Sequence, residues 1–285
     1  MSGPATAGPL ASAAMPDTIP PAPSATTPAT FPVPSGEAPA SRAQARARHA
    51  TRALFGGLGL MAGVWGAHVP SVKQHYGLDE GLLAIALLAA GVGAVIALFV
   101  AGRVIARLGT RHAAGLTGLV MVLALALVLQ SRSLAWLLAV NLVFGMAMSV
   151  HDMAINAEGT ALEALGGKPI MSGLHGMFSV GAMAGALLAS AMLHRGWAAP
   201  LQFAGVAAAL AVLTVLAWRC LLDAHPAADG AGLASFVWPR GQLMVIGLLI
   251  FAGMIAEGVM YDWSVLYLKQ ELGLPQDRAA LGYAA

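Results

Sequence analysis

The chain has 285 residues, of which 58% are apolar and 10% charged, with a mean hydropathy of +0.76 and a formal net charge of +2. A soluble domain carries about 25% charged residues, so this composition excludes one and defines an all-α, polytopic membrane protein. Cys220 is the single cysteine, which excludes an intramolecular disulfide, and the arginines lie spread along the span edges rather than in a patch that nucleic acid would need.

Residues 1–48 are rich in Pro, Ala, Ser and Thr, with Pro20, Pro21, Pro23, Pro28, Pro32, Pro34 and Pro39, and read as a disordered tail. Arg42, Arg46, Arg48 and Arg52 follow the prolines and directly precede the first span, an order opposite to that of a signal peptide. Apolar runs then predict spans over 53–69, ended by Pro70, and over 82–101, 113–130, 134–155, 177–193, 201–222 and 242–266. A further apolar segment starts at 279. Seven crossings place ten basic residues on one side (Arg42, Arg46, Arg48, Arg52, Arg103, Arg107, Arg111, Lys168, Arg219 and Arg240) and five on the other (Lys73, Arg132, Arg195, Lys269 and Arg278). This asymmetry predicts a cytoplasmic N-terminus. The expected organisation is a tail over 1–48, a six-helix bundle over 49–222, a cytoplasmic connection over 223–239, and the start of a second bundle over 240–285.

The polar residues concentrate between Asn141 and Ser190. At helical spacing Asn141, Gly145, Met148, Asp152, Asn156, Gly159 and Glu163 form one face of the fourth span, and His151 lies about 100° from it. An ionisable group in hydrocarbon costs roughly 2.5–3.5 kcal/mol on insertion scales, so it faces a bundle interior or a wet cavity. Asp152 thus marks either a solute pathway or a structural pair. In the seventh span Gly253, Glu257, Tyr261 and Ser264 form a second stripe, with Asp262 and Trp263 beside it. Asp262, Trp263 and Tyr267 also suit an interfacial belt.

Ser172, His175 and Ser179 share a face at the start of the fifth span, and Trp65 and His68 lie at the far end of the first, where an aromatic belt is the default. The pairs Gly59 with Gly63 and Gly181 with Gly185 suit close helix packing. No histidine pair has metalloprotease spacing, no serine elbow accompanies Ser172 and His175, and no lysine lies inside a span as a retinal Schiff base requires. No enzyme, cofactor or metal site is expected.

The second-to-third connection reads GRVIARLGTR, and its Gly102, Arg107, Gly109 and Arg111 resemble the loop signature of the major facilitator superfamily, with Ala106 where that signature has an aspartate. The stretch from Asp152 to Gly185, including Asn156 to Gly159, Pro169 to Gly173 and His175 to Phe178, is similar to the fourth and fifth helices of bacterial YbjJ-like members, and AEGVMYDWSVLYL over 256–268 resembles the same subgroup. The resemblance implies two six-helix bundles with a solute path between them, the chain holding the first bundle, the seventh helix and the start of the eighth. It also implies that the first, fourth and seventh helices line the cavity, that residues 102–111 act as a cytoplasmic gating loop, and that the protein lies in a bacterial inner membrane. The expected function is secondary transport of a small solute by alternating access, with a proton as the candidate coupling ion. The alternatives are a membrane sensor or interaction protein on the same scaffold, and a non-functional fragment.

Overall fold

A computed structural model describes Gly3, residues 41–223 and residues 240–284; most of the expected tail and of the 223–239 connection lie outside the described residues. Residues 40–285 form one contact unit, to which all that follows refers. It is built of α1 (Arg42–Tyr76), α2 (Glu80–Leu108), α3 (Thr110–Leu127), α4 (Leu134–Gly166), α5 (Met171–His194), α6 (Ala199–Trp218), α7 (Gln242–Gln270) and a single-turn α8 (Gln276–Ala279) that runs into a 3₁₀ turn (Ala280–Tyr283). The first seven are long and apolar enough to cross a membrane, and there is no strand among the described residues.

Several helices outrun the spans expected of them. α1 starts at Arg42, inside the expected tail, because Ser41 and Gln44 form a reciprocal capping box, Gln44 N donating to Ser41 Oγ at 3.2 Å and Ser41 N to Gln44 Oε1 at 2.9 Å. The helix passes through Pro70, which removes one backbone donor but is buried among neighbouring helices, and stops at Gly77, whose φ of 64° is the left-handed cap. The expected ten-residue loop after α2 is likewise helical. Gly102 and Arg107 belong to the last turns of α2, Arg111 to the first turn of α3, and Gly109 (φ 77°) is the one residue between them.

The packing follows from small residues. α1 lies along α5, where a Cβ on Gly59 or Gly63 would strike the backbone of Phe178 or Ala182, and one on Gly181 or Gly185 that of Gly56 or Leu60. α2 lies along α4 through the same device, Gly93 against Leu142 and Gly145 against Ala90. Exchanging α1–α3 with α4–α6 turns the first seam into the second and maps the α3/α6 contact onto itself, while α1 and α4 run in opposite directions. This is the pattern of an inverted three-helix repeat. Fully buried Phe55, Met61, Phe203, Leu83, Leu125 and Leu137 fill the centre. α7 is different: Val265 and Leu266 are its buried residues, and Leu243, Leu249, Phe251 and Met254 stand exposed on its first half.

Candidate functional site

The polar face of α4 divides between two neighbours, α2 and α5. Near the helix start Asn141, 2% exposed, donates from Nδ2 to Ala86 O of α2 at 2.7 Å. Near its end Glu163 Oε1 accepts from the backbone N–H groups of Ile170 and Met171 at 2.5 and 3.0 Å, so α4 supplies the acceptor that α5's own N-cap residue, Ile170, lacks. A Cβ on Gly159 would meet Met171 and Leu174 of α5. The stripe is therefore largely an interhelical seam. Between these fixed ends stand Asp152 and Asn156, joined by Asn156 Nδ2 donating to Asp152 Oδ1 at 3.1 Å and to its carbonyl at 2.9 Å. His175 of α5 is within electrostatic reach of Asp152, is solvent-accessible, and meets Phe55 of α1 edge-on with ring centroids 5.3 Å apart. Ser179 lies one turn further along α5 and bonds back toward the carbonyl of His175.

His151 points elsewhere. It is 1% exposed, its Nδ1 pairs with Ala114 O of α3 at 2.8 Å, and the void beside it, 10 Å³, is too small for a solute.

The second candidate group is on α7. Tyr261 Oη donates to Glu257 Oε1 at 2.7 Å, one turn apart, and the Tyr261 ring stacks on Tyr283 of the 3₁₀ turn with centroids 5.1 Å apart. The Tyr283 ring covers Gly66 of α1, a position where a Cβ would collide with it. Asp262 and Glu257 both act electrostatically on Tyr283, and Trp263 packs on the main core. Tyr283 escaped the sequence reading because it lies in the short apolar segment from 279 and shares no helical period with Tyr261.

At the far end of α1, Trp65 and His68 face the bundle rather than lipid. Trp65 stacks between Phe144 of α4 and Phe203 of α6 at 5.8 and 6.4 Å, and His68, fully buried, pairs through Nε2 with Gln202 Oε1 at 2.9 Å and through Nδ1 with Ser71 Oγ at 3.1 Å. Gln202 was legible as the one amide in the sixth span, and Ser71 was hidden by the helix end expected at Pro70.

At the basic end Arg111 binds the last carbonyls of α6, Nε to Trp218 O at 3.1 Å and Nη2 to Arg219 O at 3.4 Å, and pairs with Asp223. Arg107 and Gly102 are exposed on α2. Glu158, fully buried on α4, accepts from Leu222 N at 2.8 Å, so two polar side chains hold the end of α6 to α3 and α4. Among the described residues no group of His, Cys, Asp or Glu is arranged to hold a metal ion.

Seven membrane-length helices, an inverted repeat and carboxylates inside the spans define the class as a polytopic α-helical membrane protein of the repeat-built kind. The family model for the Major Facilitator Superfamily matches residues 53–285, and the chain belongs to that superfamily. It is 35% identical over 82% of its length to an uncharacterised MFS-type transporter of Yersinia pestis, covering 60% of that protein. It is 28% identical to an uncharacterised transporter of Sinorhizobium fredii over 79% of its length and 60% of the relative, and 28% identical to membrane protein MosC of Rhizobium meliloti over 80% and 55%. The chain thus spans about 60% of the length of these relatives. No solved structure matches it.

Proposed function

We propose that the chain belongs to a secondary active transporter that moves a small solute by alternating access, with a proton coupled through an in-span carboxylate. The observation that carries this reading is the stacking of Tyr261 of α7, hydrogen-bonded to Glu257, on Tyr283, whose ring covers Gly66 of α1. It brings ionisable groups and phenols from the last described helices against the first one. Asp152, Asn156 and His175 supply a second polar group on α4 and α5, with Ser179 beside them and Trp263 bordering the first group. All fifteen lysines and arginines lie at span ends or in connections, so the ionisable groups inside the spans are carboxylates, histidines and tyrosines. A carboxylate held in hydrocarbon is driven toward its neutral form, which suits a group that takes and gives up a proton once per cycle.

On this reading Asn141 and His151 keep the scaffold of the fourth helix in place, and Gly102, Arg107, Gly109 and Arg111 form the basic-end junction that moves when the bundle rocks. The basic end is cytoplasmic, the membrane is a bacterial inner membrane, and the subgroup is the YbjJ-like one. One measurement tests the proposal. The purified native product in proteoliposomes, given an imposed pH gradient and a panel of labelled sugars, organic acids and amphipathic drugs, is expected to accumulate one class in a manner that a protonophore abolishes. Accumulation that a protonophore leaves unchanged removes the proton.

A further inference from the structure

At the basic end a cavity of about 310 Å³ lies between the start of α3 and the end of α6, lined by Arg111, His112, Val215, Trp218 and Arg219. Its aromatic wall is fixed. The Trp218 ring lies on Gly115, where a Cβ would collide with the indole, and His112 meets the same ring edge-on with centroids 5.8 Å apart. Arg111 is committed to the fold, its three nitrogens reaching Trp218 O, Arg219 O and Asp223. Arg219 and His112 are not. Both are exposed, and among the described residues neither side chain has a hydrogen-bond or ion-pair partner, nor does the Trp218 indole N–H.

Acids are scarce around this cavity. None occurs between Glu80 and Asp152 or between Glu163 and Asp223, so neither α3 nor α6 carries one. Those nearest in the fold are in use: Asp223 pairs with Arg111, Glu158 accepts from Leu222 N, and Glu163 accepts from Ile170 N and Met171 N. Beyond the cavity the surface is apolar. One helical stripe runs from His112 through Leu116, Val120 and Leu123 of α3, and another from Arg219 through Leu216 and Val212 of α6, with every one of these apolar residues exposed. Because α3 begins and α6 ends at the cavity and the two helices pack together, the stripes run side by side into the hydrocarbon. Each stripe is headed by a basic side chain, and Trp218 stands between them at the depth where indoles meet headgroups.

We propose that this cavity binds the phosphate of an anionic phospholipid, with Arg219 and His112 as its ligands, the Trp218 N–H beside them and the acyl chains along the two stripes. A guanidinium fork matches phosphate geometry, and a zwitterionic headgroup would bring an ammonium that no acid is left to receive. The site is independent of the transport reading. Native mass spectrometry of the purified, delipidated protein in neutral detergent tests it, with dioleoyl phosphatidylglycerol, dioleoyl phosphatidylethanolamine or inorganic phosphate added. One phosphatidylglycerol is expected to bind at least about tenfold more tightly than phosphatidylethanolamine, the ratio that one charge-assisted hydrogen bond supplies. Arg219→Gln is expected to raise the phosphatidylglycerol dissociation constant about tenfold and to leave that of phosphatidylethanolamine unchanged, with Arg219→Lys falling between the parent and Arg219→Gln. His112→Phe, which keeps a ring against Trp218 but loses both nitrogens, is expected to weaken the same lipid and decides the matter if Arg219→Gln has an altered thermal midpoint. Arg103→Gln removes an exposed cation of α2 outside the cavity and is expected to match the parent. Equal binding of the two lipids, a folded Arg219→Gln that binds as the parent does, or an equal loss in Arg103→Gln overturns the site. Displacement of the lipid by inorganic phosphate at matched concentration overturns its assignment to a lipid.

Discussion

Inside a bilayer no water competes for a side-chain amide, so the bond from Asn141 to Ala86 persists, yet the alternative partners available within the membrane keep its worth modest. Asn141→Leu is expected to lower stability by about 0.6–1.7 kcal/mol in a reversible detergent-unfolding titration, the range found for such bonds across helices. Glu163 does more, since it serves two otherwise unpaired donors at the entry of α5; Glu163→Ala is expected to cost about 1–2 kcal/mol in the same titration.

The pair of His194 and Asp277 gives a pH signature. The hydrogen bond from His194 holds the Asp277 carboxyl below its usual value. For an acid with a depressed folded value, the stabilisation is present above the unfolded value and lost as pH falls through the folded one. The other ionisable groups on the elements packed here are Lys73 and His75 of α1, Arg195 just after α5, Lys269 of α7 with Glu271 just after it, and Arg278 of α8. Lys73 pairs with Glu80, His75 with Ser131, and Lys269 with Gln276, and the charge acting on Asp277 is that of His194. A spin label at Arg278→Cys is thus expected to gain mobility as pH is lowered below the ordinary carboxylate range, and Asp277→Asn is expected to be mobile and flat across that range. An unchanged acid transition in Asp277→Asn would assign it to another group.

At the scale of elements, two glycine seams set the bundle. A methyl group at Gly63 or Gly185 meets backbone, which cannot rotate away, whereas one at Gly205 meets open space. Gly63→Ala and Gly185→Ala are each expected to destabilise by about 1–3 kcal/mol, with Gly205→Ala unchanged or slightly stabilised, in parallel thermal scans. The glycine spacing marked a close-packing face on α1 and one on α5 without pairing the two, and the apolar runs marked the seven helices. What spacing could not give was where the helices end. The Ser41 box, Pro70 buried against its neighbours, and the use of Gly109 as a one-residue junction are decided by partners distant in the chain. The stripe on α4 shows the same limit. Its period puts Asn141, Asp152 and Glu163 on one face, but whether a polar face lines a path or seals a seam depends on which helix lies opposite, and here α2 and α5 take its two ends.

For the whole molecule, the exposed first half of α7 and the docked segment after it divide the helix into a free part and an anchored part, with Glu257 between them. The carboxylate at that boundary is bonded to Tyr261, whose ring stacks on Tyr283. Glu257 is the residue on which the proposed proton coupling depends most directly. Glu257→Gln, which keeps the shape and the acceptor oxygen but no ionisable proton, should be compared with the parent for uphill uptake and for counterflow exchange of the solute that the parent accumulates. The predicted result is an accumulation ratio reduced to about one, the passive value, with exchange retained. Full uphill uptake by Glu257→Gln would contradict the assignment of the coupled proton to this site.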